Sequence, residues 1–105
     1  MDNKIDRKKV LIVGEYKLAK AIASSLLKRG CSVTVINDDS EECERLAEIK
    51  GLSVIFGNGT RKSVLKDASA ESRDIVIAVT ECDEKNLFIS EICKDEFKVM
   101  RIFAL

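Results

Sequence analysis

Five short apolar runs alternate with segments whose apolar residues recur at helical spacing, and this alternation constrains the fold most. The first run, residues 10–13, is continuously apolar, as in a strand buried on both faces. Leu18, Ala19, Ile22, Ala23, Leu26 and Leu27 then form one helical stripe. Lys28 and Arg29 suit the negative end of that helix, and Gly30 suits the position just past it. Residues 32–36, rich in β-branched side chains, predict a second strand. Asp39 with Glu42 can form a capping box for a second helix bearing Cys43, Leu46 and Ala47, which Gly51 ends. Residues 53–56 predict a third strand, followed by the polar turn Gly57-Asn58-Gly59-Thr60. Thr60 is expected to cap a short helix carrying Val64, Leu65 and Ala68. Residues 74–79 are almost continuously apolar and predict a central fourth strand. Asp83 opens a fourth helix with Leu87, Phe88, Ile92 and Cys93, and residues 99–105 predict a fifth strand.

Such a β-α alternation predicts an α/β fold, a Rossmann-like doubly wound parallel sheet with strand order 3-2-1-4-5. Ligands bind such sheets outside the carboxyl ends of the strands, where the order reverses between strands 1 and 4. The informative residues are therefore those that follow each strand. The chain has 105 residues and no linker or repeat, so one domain spanning 1–105 is expected.

Composition narrows the chemistry. The formal net charge is zero, which gives no reason to expect capture of nucleic acid. No apolar run reaches the roughly 20 residues of a membrane span, and the charged residues 1–9 lack a signal-peptide core. A cytoplasmic location without membrane insertion is expected. There is no histidine, and Cys31, Cys43, Cys82 and Cys93 form no close pair, so no metal site is expected. The four thiols read as reduced and mostly buried, with Cys82 the one near the expected cleft. Without histidine, general acid/base catalysis loses its commonest residue, and no catalytic residue is assigned.

After strand 1 stands GEYKLA, where a dinucleotide fingerprint would read GxGxxG. Gly14 fits the first glycine and Ala19 is small enough for the third. Tyr16 replaces the second, with its ring expected where a diphosphate would approach. Lys17 and the helix N-terminus can attract an anion there. After strand 2, Asn37 stands where a ribose-binding acid is expected, with Asp38 beside it, and these residues can equally serve to cap the second helix. After strand 3, Gly57 and Gly59 leave the backbone open to a base edge. After strand 4, Asp83 and Asn86 suit a helix start.

These turns together resemble the TrkA N-terminal, or RCK (regulator of potassium conductance), domain family. The resemblance runs from about Val10 to Leu105, through VLIVGEYKLAKAIASSL, VTVINDD, VIFGNGTRKSVLKDA and RDIVIAVTECDEKNLFISEICK. It implies a cytoplasmic regulatory module of a potassium uptake system or channel, a nucleotide-binding fold that is not an enzyme. Its partner would be a membrane potassium transporter or channel subunit, holding it at the inner face of the membrane, and it would form a homo-oligomer. NAD(H) or ATP/ADP would bind in the cleft and act by conformational change. The resemblance assigns the phosphate turn to Gly14, Tyr16, Lys17 and Leu18, and the ribose position to Asn37 with Asp38. It assigns adenine-side contacts to Asn58, Gly59 and Thr60, and further cleft contacts to Thr80, Asp83 and Asn86. The family unit continues past strand 5 with a sixth strand and a dimerisation helix, so a truncated or shortened unit is expected.

Tyr16, Asn37 and Asn58 replace the second glycine, the ribose acid and the acid of the third turn. They motivate an alternative in which the same scaffold has lost nucleotide binding and acts as a protein-interaction module. A second alternative is the cofactor half-domain of an NAD-dependent oxidoreductase or epimerase, completed by a catalytic extension. A phosphoacceptor receiver domain would need an acidic cluster after strand 1 and an Asp after strand 3, where this chain has Gly14-Glu15 and Gly57-Asn58.

Overall fold

The computed structural model describes residues 5–105. Five strands, β1 (Lys9–Gly14), β2 (Ser32–Asn37), β3 (Leu52–Phe56), β4 (Ile75–Val79) and β5 (Arg101–Ala104), form one sheet. Its order is β3-β2-β1-β4-β5 and all four pairings are parallel, so the predicted topology is the observed one. The connections are α1 (Tyr16–Lys28), α2 (Ser40–Ala47), α3 (Lys62–Asp67) with a 3-10 turn at Ala70–Ser72, and α4 (Asp83–Asp95).

The pleat sends successive β1 residues to opposite faces. Val10 and Ile12 pack with Ala19, Ala23 and Leu26 of α1 and Leu46 of α2. Leu11 and Val13 pack with Leu65 of α3 and Ile89, Ile92 and Cys93 of α4. Both faces are thus covered, which is why β1 and β4 read as unbroken apolar runs. On the second face, burial pushes the Cys93 thiol up to about 11.

Several expected details differ. The apolar stripe of α4 turns away from Leu87 and Phe88, which are 60% and 47% exposed, toward Asn86, Ile89, Ile92 and Cys93. Ala47 is exposed, so α2 buries only Cys43 and Leu46. Thr60 does not cap α3: the helix begins after Arg61 without a side-chain cap, while Thr60 bonds to Asn58. Helix α1 ends as expected, with Gly30 at a φ of 79° beyond the Arg29 cap.

One polar side chain enters the core region unannounced by the sequence pattern. Arg73, half-buried before β4, donates to the Ala68 carbonyl through Nε at 3.1 Å and Nη2 at 3.0 Å. Its Nη2 also reaches the Thr34 hydroxyl at 2.8 Å, which accounts for a buried threonine in the middle of β2.

Candidate functional site

At the carboxyl ends of the strands lies a cleft of about 280 Å³, where β1 and β4 part toward opposite sides of the sheet order. Gly14 and Glu15 line it at the end of β1, Asn37 and Asp38 at the end of β2, Gly57 to Thr60 after β3, and Thr80 to Cys82 after β4. Asp39, Glu42 and Lys85 complete its polar wall, above a floor of Val13, Ile36 and Ile89. Of the residues expected at the site, Tyr16, Lys17, Leu18, Asp83 and Asn86 do not line this cleft.

The turn after β1 is fixed by packing. A Cβ on Gly14 would lie 2.3 Å from Cγ2 of Val79 and 2.9 Å from its carbonyl oxygen, so only glycine lets β1 run this close to β4. The Glu15 amide donates to the same Val79 carbonyl at 3.2 Å. The Glu15 side chain then folds over the start of α1. Its carboxylate accepts from the amides of Lys17, at 3.1 Å, and Leu18. These are the donors that a ligand phosphate would use at a helix N-terminus. Nothing in the fingerprint singles out Glu15, since its position there accepts any residue. The available signal was an acid directly before the first helical residue.

Tyr16 is not the obstacle that the fingerprint suggests. Its ring packs on the α1 and α2 side of the sheet, 5.6 Å from the Lys20 ammonium and 5.9 Å from the Arg45 guanidinium. As the first residue of α1, Tyr16 projects toward the neighbouring helix and not toward the cleft. Lys17 and Leu18 are exposed, and their contribution to the turn is the two amides that Glu15 occupies.

Asn37 is buried and its amide is committed to the protein. It donates to the Gly14 carbonyl at 3.1 Å and to Oε1 of Glu42 at 2.9 Å, and accepts from the Asp39 amide at 2.7 Å. Both amide hydrogens are thus used, and a ribose hydroxyl would find neither. The arrangement also splits the expected capping box. Asp39 caps α2 by accepting from the Glu42 amide at 3.0 Å, while the Glu42 carboxylate turns to Asn37. Asp38 beside it is exposed at the cleft lip.

Across the cleft, Asn58 folds its side chain over its own turn, accepting from the Thr60 amide at 2.9 Å and the Thr60 hydroxyl at 2.7 Å. Gly59 is buried beneath it. A Cβ there would meet Cγ1 of Val13 at 2.2 Å, so this glycine serves close approach to β1. Thr80 lines the cleft, and Asn86 braces it from behind. The Asn86 oxygen accepts from the Thr80 amide at 2.8 Å, and its nitrogen donates to the Leu105 carbonyl at 2.7 Å. Asp83 is an exposed first-turn residue of α4.

The cleft wall carries five carboxylates, Glu15, Asp38, Asp39, Glu42 and Glu81, against one ammonium, Lys85. The Cys43 thiol beneath it is raised above its usual range by burial first, then by the charges of Asp39, Glu42 and Asp38. A dinucleotide does not fit the phosphate turn as it stands: its amides are taken and the charge around them is negative. Among the described residues no group of acids and thiols could hold a metal ion, and no helix is long and apolar enough to cross a membrane.

This geometry has relatives. The chain is 35% identical over 89 residues to the Trk system potassium uptake protein TrkA homolog of Archaeoglobus fulgidus, covering 84% of this chain and 20% of that protein. It therefore spans about a fifth of the length of that curated relative. Its fold superimposes on the GsuK RCK domain with a TM-score of 0.77 at 20% identity, covering 97% of this chain and 22% of that one. It superimposes on the Shewanella denitrificans Kef CTD in AMP-bound form with a TM-score of 0.76 at 19% identity, covering 90% of this chain and 56% of that one. The family model for the TrkA-N domain matches residues 10–105, nearly the whole chain, and on that match the chain belongs to the TrkA-N domain family.

Proposed function

We propose that this chain is a regulatory module of a potassium transport system and that it senses an adenine nucleotide or nucleoside in the cleft between β1 and β4. Family membership supports the potassium assignment, through relatives named for potassium uptake and efflux. The observation that carries the sensing role is the cleft itself. It lies at the switch point, and four separate strand-end turns meet there. A related fold is known with AMP bound. A ligand in this cleft would touch segments from both halves of the sheet, and so would favour whichever relative arrangement of those segments binds it better. The partner is a membrane potassium transporter or channel subunit, the location the cytoplasmic face of the membrane, and the assembly a homo-oligomer.

A thermal-shift series with NAD⁺, NADH, ATP, ADP, AMP and adenosine at millimolar concentration tests the sensing role. A ligand present far above its Kd raises the Tm by mass action. No shift with any of the six overturns sensing. Deleting the chain from its native cell is expected to change potassium flux, read with a rubidium tracer. Unchanged flux overturns the transport assignment.

One observation favours a second reading, the scaffold as a protein-interaction module without a nucleotide. Glu15 and Asn37 satisfy internally the groups that a dinucleotide would engage. In that case the thermal-shift series is flat while the flux phenotype persists.

A further inference from the structure

We propose that Glu15 supplies, from within the chain, the negative charge that a ligand phosphate would bring, so that the cleft takes an uncharged nucleoside with a free 5′-hydroxyl in preference to its phosphorylated forms. This rests on the sensing role proposed above and narrows its ligand class.

The first argument is occupancy. The Lys17 and Leu18 amides at the start of α1 already bond the Glu15 carboxylate. Helix α1 has 13 residues, so the positive end of its dipole is developed and its anion is already in place. A phosphate arriving there would have to displace Glu15 or lie against it, and two anions in contact repel. The main chain cannot retreat to make room, because Gly14 is wedged against Val79 and the Glu15 amide is bonded to the Val79 carbonyl.

The second argument is the balance of donors and acceptors. Four further carboxylates stand around the cleft against one ammonium. Ionised carboxylates only accept hydrogen bonds. They accept from the ribose hydroxyls of nucleoside and nucleotide alike, but they repel the phosphates that only the nucleotide carries. The third argument is size. About 280 Å³ falls just below the roughly 300–1,000 Å³ typical of small-molecule pockets, which disfavours a whole dinucleotide.

Isothermal titration calorimetry of the chain with adenosine, AMP, ADP and NAD⁺ tests the proposal, beside Glu15→Gln and Glu15→Ser. Serine is a good neutral helix cap, so this variant keeps α1 closed while removing the charge. Thermal unfolding verifies that each variant is folded. The native chain is expected to bind adenosine about tenfold or more tighter than ADP at low salt, with the gap narrowing as salt rises. In Glu15→Ser the ratio of ADP to adenosine affinity is expected to rise about tenfold. Native binding of ADP or NAD⁺ at least as tight as adenosine overturns this inference and leaves the sensing role standing. An ADP-to-adenosine ratio unchanged in both Glu15 variants does the same. Absence of binding by all four ligands, in native chain and variants alike, overturns the sensing role and this inference together.

Discussion

The side-chain amide of Asn37 donates to the main-chain carbonyl of Gly14 across 3.1 Å, tying the end of β2 to the end of β1 at the mouth of the cleft. The same nitrogen donates to Glu42, so one buried amide joins two strands and the first turn of α2. Asn37 therefore cannot be exchanged for the acid that a ribose-binding fingerprint would place there. Asn37→Asp removes both donated bonds and sets a second carboxylate against Glu42. We expect a loss of about 3 kcal/mol in urea unfolding at pH 7, a cost typical of stranding a buried charged group. Part of that loss should return as pH falls and the two acids share a proton. An unchanged urea midpoint would show that the strand ends are held by other means.

Gly59 gives a second test, because its reason for being glycine is steric. A Cβ there would lie 2.2 Å from Cγ1 of Val13, a side chain in the core. Gly59→Ala is expected to cost about 1–3 kcal/mol by overpacking. Gly59→Ala combined with Val13→Ala should recover much of the penalty, since the offending methyl is gone. A double-mutant cycle by urea unfolding reads this coupling, and strict additivity of the two costs would refute the contact as its cause.

Tyr16 separates the fingerprint reading from the observed geometry. With its ring between Lys20 and Arg45, Tyr16→Ala should lose about 1–2 kcal/mol of stability, through two cation–π contacts and some apolar burial. It should leave the affinities for ADP and adenosine unchanged, because the ring does not line the cleft. Calorimetric titration of this variant beside Glu15→Ser assigns the obstacle. A gain in ADP affinity from Tyr16→Ala would return the blame to the tyrosine.

The sheet was legible because burial on both faces leaves an unbroken apolar run, and runs such as 10–13 and 75–79 are too short for a typical helix and rich in β-branched residues. The face of α4 was not. Leu87, Phe88, Ile92 and Cys93 satisfy a helical period as well as the true set does, and the true set contains Asn86. A buried asparagine is invisible to apolar periodicity, since its burial depends on Thr80 and the remote Leu105 carbonyl. The site shows the same division. The positions of its turns followed from the strand ends, but the use of each polar group depended on contacts between turns. Asn37 follows from the end of the second apolar run, yet its partners Gly14 and Glu42 lie on other elements. Glu15 was overlooked because the fingerprint is indifferent to that residue, whereas the helix behind it is not. Arg73 lies in a polar stretch that reads as loop, and only the fold brings Thr34 to it.

Cys93 makes the core itself testable by pH. Burial raises its thiol from 9.0 to about 11, so the folded state holds the neutral form where the unfolded chain would ionise. Below the unfolded value near 9.0 the thiol is neutral in both states and its contribution is fully present. As pH rises from there toward 11, the unfolded state alone loses the proton and stability falls. Urea unfolding at pH 7 and at pH 10 should show this decline, and Cys93→Ala should reduce it despite a lower baseline stability, leaving the part that the raised Cys43 thiol contributes. The half-buried Cys82 at the cleft wall should react with an alkylating agent in the folded protein while Cys93 is protected. Equal alkylation rates for the two thiols, or an alkaline decline unaltered by Cys93→Ala, would place the titrating group elsewhere than in the packed face of α4.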